Sequence, residues 1–104
     1  MDARTLEALK ASIEKWERNA VTETPDAFLV GSINCALCRL FIDDACAGCP
    51  VEAQTRLGNC SRTPYDTACH TRRAWRDGRA SKEQAHAAAR EEVAFLKSLL
   101  PEGA

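Results

Sequence analysis

The sequence predicts an all-α fold, a small helical domain whose N- and C-terminal helices pack together around a cysteine-rich metal-binding middle segment. Apolar residues recur at helical spacing near both ends of the chain, and no stretch alternates in the manner of a strand. Six cysteines lie between positions 35 and 69. A chain of 104 residues has the length of one domain, so 1–104 is predicted to fold as a unit: an N-terminal helix and connector (1–31), the cysteine-rich segment (32–65) and C-terminal helices (66–104).

The first helix is predicted over about residues 3–20. One of its faces collects the apolar side chains Leu6, Leu9, Ile13, Trp16 and Ala20. Pro25 and Gly31 interrupt the periodicity that follows, which indicates a connector. We expect this connector to pack Phe28, Leu29 and Val30 against the core and to contain a short turn.

Two further helix starts are predicted inside the cysteine-rich segment. Ser32 precedes a helical pattern as its N-cap, which places Cys35 and Cys38 on the first turn, where exposed N–H groups favour thiolate over thiol. Asp43 and Asp44 end that helix. The Cys49-Pro50 step is typical of a cap followed by the first residue of a short helix, which would end at Gly58.

The C-terminal part predicts two more helices. Thr63 and Pro64 would begin the first, over about 64–77, with Gly78 closing it and with Tyr65, Ala68, Cys69 and Trp75 on its inner side. Ser81 and Gln84 form a capping box for the second, which Pro101 ends. Its apolar face contains Ala85, Ala88, Ala89, Val93, Leu96, Leu99 and Leu100.

The cellular compartment of the protein affects whether its cysteines form disulfides or bind a metal. The charged N-terminus has no apolar signal region, and no stretch of the chain reaches the roughly 18 apolar residues that a membrane span needs. We therefore expect a cytoplasmic protein without a membrane partner. Disulfides are rare in a reducing cytosol, so paired cysteines there favour metal binding over redox-active thiols or disulfides.

Two Cys-x-x-Cys pairs supply the four thiolates of a metal site. Cys35 with Cys38, and Cys46 with Cys49, would each bring two sulfurs to one side of a zinc ion. A four-iron, four-sulfur cluster is the alternative, because it also takes four cysteines and its ligand runs often include a Cys-Pro step. Cys60, in the loop after Gly58, can replace Cys46 or remain as a fifth thiol near the site, so which four of the five bind stays open.

The other three candidate ligands, Cys69, His70 and His86, are predicted to have packing or surface roles rather than to bind the metal. Cys69 is predicted to be a small buried residue rather than a ligand. His70 cannot easily share a proton or a metal with Cys69, because neighbours on a helix point about 100° apart. His86, among alanines of the last helix, is predicted to be a surface or packing residue.

The chain resembles small cysteine-rich proteins of phage and bacterial genomes, a group of unknown function. Their pattern is Cys-x-Leu-Cys, then Cys-x-Gly-Cys-Pro, then Cys-x-x-Thr-Pro-Tyr, and this sequence has CALC, CAGCP and CSRTPY. The resemblance covers Cys35 to Tyr65. It implies that the first five cysteines belong to one site and that Cys69 lies outside it.

Charge is distributed unevenly along a chain whose net charge is −1. The basic residues concentrate in 56–90, where Arg72, Arg73, Arg76 and Arg79 flank Trp75. Such a cluster suits phosphates beside a stacking aromatic, and replacing its exposed arginines should leave stability unchanged. The alternative is a solvated helix face with Trp75 in the core, which the acidic pI of about 6.1 favours.

These patterns together predict a structural zinc site in an interaction or adaptor module. A closed four-thiolate site leaves no open position for a substrate, so no catalytic residue is assigned. The partner can be a protein or a nucleic acid. An iron–sulfur protein with an electron-transfer, redox or enzymatic role is the alternative.

Overall fold

The computed structural model describes residues 2–30, Pro50 and residues 63–101. These residues form three α-helices and one turn of 3-10 helix, and they include no strand. Helix α1 spans Ala3–Asn19, the 3-10 turn spans Pro25–Ala27, α2 spans Pro64–Arg76 and α3 spans Lys82–Ser98. The described part of the chain is therefore all-α, as the periodicity predicts.

Helix α1 begins at a cap that the apolar pattern does not reveal. The Asp2 carboxylate accepts a hydrogen bond from the Thr5 N–H at 2.8 Å, which satisfies one of the free donors of the first turn. The same hydrogen bond lowers the pKa of the Asp2 carboxyl. The helix ends at Asn19, one residue before the predicted boundary.

Asn19 also positions the connector. Its side chain donates to the Leu29 carbonyl and accepts from the Leu29 N–H, both at 2.9 Å. Phe28 is fully buried and Val30 packs on the core, but Leu29 is 42% exposed. The prediction that Leu29 packs inward was wrong, because side chains of an extended segment alternate in direction and the neighbours of Leu29 occupy the core.

Helices α2 and α3 form a hairpin whose boundaries follow the predicted signals. Thr63 is the N-cap residue and Pro64 the first residue of α2, although the Thr63 side chain makes no capping hydrogen bond. Gly78 has φ +78°, a conformation that L side chains rarely adopt, and it allows the turn after α2. The capping box of α3 is present, with Ser81 Oγ accepting from the Gln84 N–H at 3.1 Å and Gln84 Oε1 accepting from the Ser81 N–H at 2.8 Å.

The core lies where α3 packs against both α1 and α2. The buried apolar residues are Ala8, Leu9, Ile13, Trp16, Phe28, Ala68, Ala85, Ala88, Ala89 and Leu96. Alanines make up half of this set, so the helices approach closely and little apolar area is buried per residue. The predicted contact between the first and last helices is confirmed.

Candidate functional site

The five nominated metal ligands, Cys35, Cys38, Cys46, Cys49 and Cys60, lie outside the described residues, as does the helix predicted after Ser32. Pro50, predicted to open the short helix after Cys49, is helical and buried. The rest of that predicted helix also lies outside. Among the described residues, no three His, Cys, Asp or Glu side chains are grouped so that they could hold a metal ion.

The chain enters and leaves the cysteine-rich segment at one aromatic cluster. The Trp16 ring on α1 contacts Phe28 edge-on at 5.5 Å between centroids and Tyr65 edge-on at 5.9 Å. Phe28 lies shortly before the segment, which spans 32–65, and Tyr65 is its last residue. The Trp16 ring therefore contacts the chain just before the cysteine-rich segment and at its end.

Arg72 fastens the connector to α2. Its Nε donates to the carbonyls of Pro25 at 2.9 Å and Phe28 at 2.8 Å. Trp75, one turn further along α2, contacts Phe28 edge-on at 6.5 Å and is half-buried. These contacts fix the backbone just before the cysteine-rich segment.

The predicted nucleic-acid cluster is therefore divided between two environments. Arg72 and Trp75 serve the packing of the connector, whereas Arg73, Arg76 and Arg79 are exposed. Asp77 lies 3.7 Å from Arg76 and 3.3 Å from Arg79. Fewer arginines of this cluster are therefore free to contact phosphates than the sequence alone indicates. Trp75, its one aromatic residue, is half-buried and does not present a fully exposed ring for stacking on a base.

Cys69 is half-buried on the inner side of α2. Burial raises the pKa of the Cys69 thiol, and the negative charges of Asp66 and Glu92 raise it further, while a hydrogen bond with Tyr65 and the charge of Lys15 act in the opposite direction. The thiol form is therefore favoured. The sequence predicts a small buried residue at this position, and Cys69 is partly rather than fully buried.

Neither histidine belongs to a group of potential metal ligands among the described residues. The His70 side chain is 72% exposed and its Nε2 lies 3.4 Å from Asp66. His86 Nε2 lies 2.7 Å from the Thr22 carbonyl, and its ring contacts Trp75 edge-on at 6.2 Å. His86 thus ties α3 to the connector and acts as a packing residue.

Several polar residues on α1 and α3 are buried, and the sequence analysis did not identify them. Ser12 and Lys15 are 3% and 6% exposed, and Glu92 on α3 is 3% exposed. Lys15 Nζ lies 5.1 Å from the centre of the Trp16 ring. Thr5, Ser12, Lys15 and Asn19 lie beside the apolar stripe of α1 and are all buried, so the buried face is wider than that stripe. The sequence gives no signal for this, because polar residues are ordinarily exposed.

Comparisons of the chain with protein-family models, with curated proteins and with solved structures gave no match. None of the helices in the described ranges combines the length and the apolar character that crossing a membrane requires.

Proposed function

We propose that this protein is a small metal-binding module in which four of Cys35, Cys38, Cys46, Cys49 and Cys60 hold a structural zinc ion. One observation carries the proposal: paired thiols of ligand spacing lie in a segment whose two ends are held on the Trp16 ring. The resemblance to small phage and bacterial cysteine-rich proteins assigns the same five cysteines to one site.

The anchoring supports metal binding through chain entropy. A segment with free ends loses conformational entropy when its ligands converge, and the loss grows with the length of chain to be closed. Because Phe28 and Tyr65 both contact the Trp16 ring, the helical scaffold already supplies part of that loss. Zinc binding then needs to order only the segment between them.

The module acts on a partner rather than on a substrate. Four thiolates complete the tetrahedron of zinc, which leaves no position for catalysis. The unfavourable ionisation of Cys69 gives no support to a reactive thiol on the scaffold. We therefore assign an interaction or adaptor role in the cytoplasm, with a protein as the favoured partner, since Arg72 and Trp75 are engaged in packing.

An iron–sulfur cluster is the second candidate, and the Cys49-Pro50 step favours it. Such a step occurs in the ligand runs of four-iron clusters. A cluster would make electron transfer or redox chemistry the function instead of interaction alone.

The nature of the metal decides between the two candidates. Protein purified without oxygen should be colourless and contain one zinc per chain by elemental analysis, because zinc has no visible absorption of its own. Brown protein with iron and acid-labile sulfide would replace the zinc proposal by the cluster. Protein with neither metal, and with the five thiols of Cys35, Cys38, Cys46, Cys49 and Cys60 available to a thiol reagent, would refute both.

Cys69→Ala is the matched control for this experiment. It removes one thiol from the scaffold and should leave the metal content unchanged, whereas Cys35→Ser or Cys49→Ser should lower it. Equal loss of metal from Cys69→Ala would contradict the ligand assignment.

A further inference from the structure

An open groove of about 590 Å³ runs between the outer faces of α2 and α3. Its floor is made of small side chains, Thr71, Ala74, Ala87 and Ala88 among them. The two helices are joined by a short turn and pack side by side, so they are antiparallel and the groove follows both axes. The volume is within the range of roughly 300–1,000 Å³ that ligand-binding clefts occupy.

The two ends of the groove carry opposite charges. Arg73 and Arg79 line the end beside the helix–helix turn, and Glu91 lines the other end. Arg79 is paired with Asp77, but neither Arg73 nor Glu91 makes an ion pair with any residue in 2–30 or 63–101. An exposed cation and an exposed anion therefore mark opposite ends of one groove.

The separation of the two charges follows from helix geometry. Thr67, which lines the groove near Glu91, precedes Ala74 by two helical turns, and a rise of 1.5 Å per residue makes that distance roughly 10 Å. A peptide in the extended polyproline II conformation advances about 3.1 Å per residue and completes one turn every three residues. Side chains three positions apart in such a peptide therefore point to the same side and lie roughly 9 Å apart, close to the separation of the two charges.

We propose that this groove binds a short extended peptide segment of a partner protein, with a carboxylate beside Arg73 and a cation three residues away beside Glu91. Shape and charge complementarity together define this occupant, because small floor residues leave room for a peptide backbone and the two ends accept opposite charges. This inference rests on the proposed role as an interaction module and is independent of which metal is bound.

A peptide fits this surface better than a nucleic acid does. A phosphate backbone presents negative charge along its whole length, so Glu91 at one end would repel it. Groove residues also include only two arginines, of which one already has an acidic neighbour. An oligonucleotide is nonetheless the competing ligand that the experiment must include.

The test is a titration of the metal-loaded, ¹⁵N-labelled full chain followed by amide chemical shifts. The probes are four blocked peptides, Glu-Ser-Ser-Lys, Lys-Ser-Ser-Glu, Gln-Ser-Ser-Gln and Lys-Ser-Ser-Lys, together with an oligothymidylate. We expect one of the two mixed-charge peptides to shift the amides of Ala74 and Ala87, and to bind about fivefold more tightly than the neutral one, the size of an exposed ion-pair effect.

The charge-swapped variant R73E/E91R makes the test specific. It should invert the preference between Glu-Ser-Ser-Lys and Lys-Ser-Ser-Glu, because the ends of the groove exchange charge. Arg90→Glu, which reverses a charge on α3 at an exposed residue outside this groove, should leave the preference as it was.

Two results would overturn the inference: equal binding of the neutral and mixed-charge peptides, including no binding of either at about millimolar concentration, or tighter binding of the oligonucleotide in the groove. The metal content of the same samples is measured separately. Failure of the peptide test with zinc present refutes the groove alone, whereas groove binding in protein that never holds a metal refutes the zinc site alone.

Discussion

At the scale of single residues, two polar side chains hold the connector in place. Asn19 bonds both polar groups of the Leu29 backbone, and the guanidinium of Arg72 bonds the carbonyls of Pro25 and Phe28. The sequence pattern assigned Arg72 to a basic surface instead. The partners of Arg72 are 47 and 44 residues away, and local periodicity carries no information about contacts at that separation.

Arg72→Ala should therefore destabilise the fold, contrary to the expectation for an exposed arginine. The substitution removes the Arg72 donor from the part-buried Phe28 carbonyl and leaves the Pro25 carbonyl with the Phe28 N–H alone, which costs about 1–3 kcal/mol of unfolding free energy. Urea denaturation measures it. Arg73→Ala, the neighbouring exposed arginine, should stay within about 0.5 kcal/mol of wild type. Equal stability of the two variants would show that the Arg72 hydrogen bonds contribute nothing.

Cys69 gives a prediction about pH. Its pKa is raised above the ordinary value of 9.0 by burial, so the unfolded chain loses this proton at lower pH than the folded protein does. The stabilising contribution is complete below pH 9.0 and is lost as the pH rises towards the folded pKa. Unfolding free energy should fall above that pH, less steeply in Cys69→Ala.

Alkylation offers an independent measurement on the same residue. Iodoacetamide should label Cys69 more slowly in folded than in urea-unfolded protein, as peptide mapping by mass spectrometry can show residue by residue. Labelling of Cys69 at equal rates in the two states would contradict the inert thiol.

At the scale of elements, the helices were predictable because the residues that begin and end them act on their near neighbours in the sequence. Thr63-Pro64, Gly78 and the Ser81–Gln84 capping box each act within a few residues, and the observed bounds agree. The width of the buried face on α1 was not predictable in this way. Lysine is ordinarily a surface residue. Lys15 is buried because α3, which carries Glu92, packs against α1, and that contact is not evident from the sequence of α1 alone.

The contact between α1 and α3 is the subject of the next prediction. Lys15 and Glu92 are buried, opposite in charge, and both act on the Cys69 thiol, so they share one neighbourhood. Lys15→Met or Glu92→Leu alone should lower the unfolding free energy by about 3 kcal/mol, because the remaining charge stays buried. The double variant should lose less than the sum.

The double-mutant cycle is measured by urea denaturation of all four proteins. Glu91→Leu, at the exposed neighbouring position, is the control and should change stability little. Strict additivity of Lys15→Met and Glu92→Leu would mean that the two charges do not interact.

At the scale of the whole molecule, a core of small residues is joined to a segment rich in cysteine. Half of the buried apolar residues in the described part are alanines. Trp16 and Phe28 have the largest fully buried side chains and contact each other edge-on, and Phe28 lies just before the cysteine-rich segment. The convergence of both ends of the segment on Trp16 could not be predicted, since it depends on pairings between α1, the connector and α2.

The last prediction follows from that architecture: removing the metal should unfold much of the domain, including the three described helices, which contain none of the five nominated ligands. A metal that is bound only by the folded state adds its binding free energy to stability, and a small core offers little to replace it. Circular dichroism before and after chelation measures the helical signal and the melting temperature. Cys35→Ser and Cys49→Ser should resemble the metal-free protein, whereas Cys69→Ala should melt close to wild type. If verified metal-free protein keeps its helical signal and its melting temperature, the metal is not structural, and the three helices are stabilised by the Trp16 and Phe28 core alone.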